Sequence, residues 1–231
     1  MESSFPSLKL IAYLRFLVIA LAALFIQICH ADNVYNLAKS GATCRPDPEG
    51  PEVQRAAFVD SQASAYILPF EIGTPRLIWR TTSHFNPGNK GVGLYAIDIE
   101  MPIGTPLVAA RGGKVVAVQD TFKDGNDKDL EENFVMVQHA DGTVARYIHL
   151  KFGGVLVALG EQVSQGQRIA LSGNTGQTGA PHLHFDVQTC GPNLPPNYNK
   201  LPCGMTVPLT FRNAGVNICG LVPGMRYGGK H

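Results

Sequence analysis

The chain has 231 residues, 45% of them apolar and 16% charged, with 19 basic against 18 acidic side chains and a net charge of +1. So little net charge excludes a general electrostatic affinity for nucleic acid or an anionic membrane, and the chain is too apolar for a disordered protein. With 25 Gly and 16 Pro, it leans toward a turn-rich, strand-rich domain and away from a helix bundle.

Lys9 and Arg15 precede an uninterrupted apolar run of 11 residues at 16–26. That is too short to span a bilayer, where roughly 20 residues are needed. Cys29-His30-Ala31 then offers a small-x-small exit, which predicts a secretory signal peptide over residues 1–31. An uncleaved anchor is the competing reading, with the apolar stretch extended back past Arg15 to Leu10. Cleavage removes Glu2, Lys9 and Arg15 and leaves a neutral mature chain with no stable membrane span. It also takes the cysteines to an even set, Cys44, Cys190, Cys203 and Cys219. Four cysteines in an exported protein point to disulfides and allow three pairings. Cys190 and Cys203 flank a Pro/Asn-rich loop, so closing that loop and joining Cys44 to Cys219 is the preferred pairing. No Cys-x-x-Cys pair exists, which argues against a cysteine metal site.

Residues 32–65 show no sustained period and contain RPDPEGPE, the mark of an N-terminal extension, with one short helix expected near 53–58. From residue 66 the pattern changes. Short apolar runs recur between turn signals: YILPFEIG, LIWRT, YAIDI, PLVAA, KVVAV, NFVMVQ, TVARYIHL, GVLVAL, RIALS and HLHFDV. Runs of that length, rich in Val, Ile, Tyr and Phe, predict strands. The segments RGGK at 111–114 and HADGT at 139–143 are expected to be hairpin connections, the second holding an Asp-Gly pair suited to positive φ. No helical period longer than about ten residues appears, so the expected fold is all-β, an antiparallel two-sheet sandwich or partly open barrel.

Histidine carries the chemistry. A strand at HLHFDV displays His182 and His184 on one face and Leu183 and Phe185 on the other. Two imidazoles held that way either share a metal or set a proton carrier beside a metal ligand; alternatively they are polar positions on a solvated face. Asp98 lies in YAIDIEMP, where alternation turns it away from Ile97 and Ile99. A carboxylate among such hydrophobes needs a partner or a metal if buried, and faces water if it sits on an edge strand. His149, in ARYIHL, is expected to share a strand face with Tyr147 and Ala145. His139 sits in a turn beside Asp141 and reads as structural. No G-x-S-x-G occurs, which disfavours a serine nucleophile.

In order along the chain, SHF, YAIDIEMPIGTPLVAARGGKVVAV, NFVMVQHADGTVARYIHL, GEQVSQGQRIALSGNTG, GAPHLHFDV and VPLTFRNAG resemble the lysostaphin-type (LytM-type) zinc endopeptidases of peptidase family M23. The resemblance covers residues 66–215 and leaves 216–231 as a C-terminal tail. By position it implies Asp98 and His184 as zinc ligands and His149 and His182 as the catalytic pair. The common His-x-x-x-Asp form of the motif is broken here, because Leu94 stands four residues before Asp98. The resemblance includes a branch with Ser-His before a longer loop and then YAID, and Ser83-His84 fits it, which makes His84 the third ligand. What it implies for function is one Zn2+ per chain, a peptidoglycan peptide as substrate, no nucleic-acid partner, a monomer, and a periplasmic or extracellular location. Two other readings stand beside it. One is a metal-free LytM-type regulator that binds and activates a cell-wall amidase, for which Leu94 is the main support; the other is a non-enzymatic wall-binding β-domain.

Overall fold

The computed structural model describes residues 43–82, 93–189 and 204–229. The expected signal peptide, His84, Cys190 and Cys203 lie outside these described residues.

Among the described residues thirteen strands follow one another: β1 (Thr43–Cys44), β2 (Val53–Gln54), β3 (Arg76–Arg80), β4 (Ile97–Glu100), β5 (Pro106–Val108), β6 (Gly113–Gln119), β7 (Phe134–Gln138), β8 (Thr143–Ile148), β9 (Leu150–Val155), β10 (Gln162–Val163), β11 (Arg168–Ser172), β12 (His182–Thr189) and β13 (Arg226–Tyr227). Eight of them form one sheet in the order β10-β6-β7-β8-β12-β4-β3-β13, and three form a second in the order β5-β11-β9. Every strand pair is antiparallel. Among the described residues the large sheet ends at β10 and β13 and does not close. Among the described residues there is no α-helix, only short 3-10 turns at Arg55–Ala57 and Ser61–Ala63. The all-β antiparallel class expected from the sequence is the one found.

Alternation explains how the large sheet separates core from site. Leu183, Phe185, Tyr147, Ala145, Ile97 and Ile99 point to one face and are buried against Leu107, Leu150, Ile169 and Ala170 of the smaller sheet. The residues between them, His182, His184, Arg146 and Asp98, are therefore turned to the other face. Truncating a core side chain such as Phe185 to alanine costs about 3–5 kcal/mol in proteins generally, so the site rests on a stiff support.

Two turns test the hairpin expectations. HADGT closes the β7–β8 hairpin: Gly142 has φ +82° and donates to His139 O, while His139 N donates to Thr143 O. RGGK does not close a hairpin. It carries the chain from β5 in the small sheet to β6 in the large one. Its glycine serves close approach instead, since a Cβ on Gly113 would sit 2.2 Å from Gln138 O.

The segment before the core is tied down by specific contacts. Cys44 is disulfide-bonded to Cys219, as the preferred pairing anticipated. Cys44, Val53 and Phe58 form an apolar cluster joined by Leu94 and Tyr95, and Ser64 Oγ donates to Thr210 O at 2.5 Å. Because the disulfide spans 175 residues of sequence, replacing both cysteines by alanine is expected to cost about 2–5 kcal/mol. The measurement is the denaturant midpoint of the variant, which should match that of reduced wild type. Equal midpoints for oxidised wild type and variant would assign the bond no stabilising role.

Candidate active site

Four of the five residues singled out from the sequence meet in one cleft of about 410 Å³, lined by Asp98, His149, His182 and His184 together with Trp79, Arg80 and the 177–180 loop. β4 and β12 supply three of them. Asp98 stands directly opposite His184 across the β4–β12 pair, and His182 stands opposite Glu100. His184 Nδ1 lies 3.1 Å from Asp98 Oδ1, and His182 Nε2 lies 3.5 Å from the same oxygen.

His149 arrives by a different route. Tyr147 and Ala145 are fully buried on the core face, so strict alternation would have sent His149 there as well. It takes φ +63° instead, just after β8 ends. That left-handed residue turns the imidazole out of the core and into the cleft, where its ring centroid lies 4.6 Å from that of His182. The expected shared face with Tyr147 is thus corrected by a backbone kink. The residue after the kink, Leu150, is held by a buried polar hub. Asn133 O accepts from Leu150 N, Asn133 N donates to Thr175 Oγ1, and Thr175 Oγ1 donates to Leu150 O. Left-handed φ at a non-glycine residue costs energy, and it persists where surrounding bonds over-determine it.

Each imidazole is oriented by a fixed partner on one nitrogen. His149 Nδ1 lies 2.7 Å from Thr175 O, and His182 Nδ1 lies 2.8 Å from Ala180 O. A carbonyl only accepts, so both rings carry the proton on Nδ1 and keep a lone pair on Nε2 when neutral. Burial, reinforced by the neighbouring His182 and His184, pushes the His149 pKa down to about 3. His149 is therefore neutral at pH 7 and able to accept a proton.

His184 sits between two carboxylates. Its Nε2 lies 3.2 Å from Asp186 Oδ2, on the side away from Asp98. Burial disfavours its charged form, but Asp186 and Asp98 outweigh that and raise its pKa to about 9. Asp186 is fully buried and receives Arg146 in a two-point pair, Nε to Oδ1 at 2.8 Å and Nη2 to Oδ2 at 2.5 Å. Burial alone would raise the Asp186 carboxyl, but Arg146 and His184 hold it well below the usual range. The sequence reading missed Asp186 and Arg146. The i, i+2, i+4 run of His182, His184 and Asp186 along one strand face was the signal that could have found Asp186.

Leu94 and His139, which the sequence reading also weighed, lie elsewhere. Leu94 packs against the Cys44, Val53 and Phe58 cluster. His139 is buried with Nδ1 on Gly112 O at 3.0 Å, in keeping with its structural reading. Tyr147 hydroxyl accepts from Ala110 N in the core and does not reach the cleft.

Two donors among the described residues, on Asp98 and His184, are spaced as ligands of one zinc ion would be. Two atoms each about 2.1 Å from one tetrahedral zinc stand about 3.4 Å apart, close to the 3.1 Å between His184 Nδ1 and Asp98 Oδ1. A carboxylate on the far nitrogen, as Asp186 is on His184, is the usual support of a ligating histidine.

Such a fold and cleft define a β-sheet domain built around a histidine-carboxylate centre. Residues 93–196 match the model of peptidase family M23. Among curated relatives it is 36% identical over 136 residues to the peptidoglycan DD-endopeptidase ShyA of Vibrio cholerae, covering 56% of this chain and 30% of that protein. It is 32% identical over 158 residues to the uncharacterized lipoprotein YgeR of Escherichia coli, covering 65% of this chain and 57% of that one. The chain thus spans less than two thirds of these relatives' length. Among solved structures, the catalytic domain of the prophage-encoded M23 protein EnpA from Enterococcus faecalis aligns at 26% identity and a TM-score of 0.43, covering 61% of this chain and 93% of that one.

Proposed function

We propose that this protein is an exported zinc metalloendopeptidase that hydrolyses peptide cross-links of peptidoglycan. The observation that carries the reading is the convergence of Asp98, His149, His182 and His184 in one open cleft of an M23 domain. Asp98, His184 and His84 would hold the metal, His84 being assigned from the sequence branch alone. When bound, zinc supplies a Lewis acid that polarises the scissile carbonyl and lowers the pKa of a water molecule toward neutrality.

The chain's own residues supply the rest. As water adds to the carbonyl carbon, its proton passes to Nε2 of one member of the His149–His182 pair, whose Nδ1 positions are already committed to Thr175 O and Ala180 O. That imidazolium then turns its Nε2–H toward the oxygen on which negative charge develops. The proton returns to the amine as the C–N bond breaks. Neutral charge overall suits recognition by cleft shape, and the signal at residues 1–31 would deliver a monomer to the periplasm or beyond the cell.

Zinc content of the purified protein tests the metal assignment. Wild type should hold about one ion per chain, and Asp98→Ala and His84→Ala should each lose most of it. A chelator should stop digestion of purified peptidoglycan, and added zinc should restore it. Full zinc occupancy in His84→Ala removes His84 from the ligand set, and digestion that survives the chelator rejects the metallopeptidase.

A further inference from the structure

β3 departs from regular pairing beside the cleft. Ile78 stands opposite Ile99, whereas Arg80 stands opposite Asp98, so two steps along β3 match one step along β4. Trp79 is the extra residue of a β-bulge. In an unbroken strand, neighbouring residues point to opposite faces. Here Ile78 is fully buried in the core, and Trp79 and Arg80 both line the cleft. Bulges re-aim side chains in this way. The Trp79 ring lies 5.5 Å from that of His182, so it forms a wall of the site itself.

Arg80 is exposed and makes no ion pair among the described residues. It is the sole Arg or Lys among the cleft-lining residues, where the other Arg of this face, Arg146, is consumed by Asp186. Paired Cα atoms in an antiparallel sheet stand about 4.5–5.5 Å apart. The Arg80 side chain therefore leaves the backbone beside Asp98 and lines a space whose remaining polar walls are imidazoles, hydroxyl and amide. A planar guanidinium in such a place matches a carboxylate by two parallel hydrogen bonds.

We propose that the Trp79–Arg80 bulge selects the substrate: Arg80 binds a free carboxylate on the peptide within about one residue of the bond that is cut, and Trp79 packs on the adjoining aliphatic stem. This rests on the peptidase reading and narrows it. The favoured substrate class is a stem peptide bearing a free carboxylate beside the cross-link, over a neutral glycine bridge or an amidated stem.

The test uses two cross-linked peptides that differ only in whether that carboxylate is free or amidated, and a matching pair in which the scissile amide is replaced by a non-hydrolysable CH2–NH link. Wild type should cleave and bind the free acid about 10- to 100-fold better than the amide. Arg80→Gln should remove that preference through KM and Kd, losing about 10- to 100-fold more on the free acid than on the amide, and Arg80→Lys should restore part of it. Equal losses on both peptides, or an undiminished preference in Arg80→Gln, would overturn the proposal. If neither peptide is cleaved by wild type, the peptidase reading fails, and the non-hydrolysable pair still decides whether Arg80 selects the carboxylate.

Discussion

His182→Ala is expected to lower kcat for cross-link hydrolysis by about a hundred- to ten-thousandfold while zinc stays bound, because a positioned proton carrier contributes on that scale. The ring is fixed by Ala180 O on Nδ1 and presents Nε2 to the site, 3.5 Å from Asp98 Oδ1. His149→Ala should show a comparable loss, and the double variant should fall little below either single one, since groups that act as a unit are not additive. Zinc content separates this role from ligation: a large loss of metal in His182→Ala would place that residue in the coordination shell and exchange its role with that of His184. Folding controls matter less for His182 than for His149, whose neighbours Asn133 and Thr175 bond to one another around it.

Arg146→Ala should destabilise the protein by about 3–5 kcal/mol, the usual result of leaving one charge of a buried pair uncompensated. Arg146 and Asp186 are both buried and face each other across β8 and β12. Their pairing is two-pointed, and Asp186 in turn fixes His184 through Nε2. Replacing both partners by apolar residues of similar volume should recover much of the stability, yet leave His184 without its anchor. Denaturant midpoints measure the first effect, and zinc affinity of the refolded double variant measures the second. A stable double variant with wild-type zinc affinity would confine the pair to a purely structural role.

Much of the site was legible because strands have a period of two. That period put His182 and His184 on one face and turned Asp98 from its isoleucine neighbours, and the structure has both arrangements. What escaped were the places where the backbone leaves the period. His149 reaches the cleft through a left-handed residue that no pattern of apolar and polar letters signals. Trp79 and Arg80 share the cleft through a bulge whose position depends on the partner strand. RGGK has the composition of a hairpin and serves a crossing between sheets, because its glycines answer to the backbone of β7 rather than to a turn. Arg146 sat unremarked between buried hydrophobes, since a charge there is explained only by the carboxylate opposite. The motif order, by contrast, pointed to peptidase family M23, whose model matches residues 93–196.

The kink at His149 has a consequence for how this protein tolerates change. An L-residue held at φ +63° gives up about 1–2 kcal/mol that glycine would keep. Glycine there would relieve that strain but would empty a buried position and give up the Nδ1 bond to Thr175 O, so the strain and the packing of this imidazole oppose each other. Screens for hardier variants of this domain need to read turnover at every round, because on the peptidase reading the strained residue is also a working one.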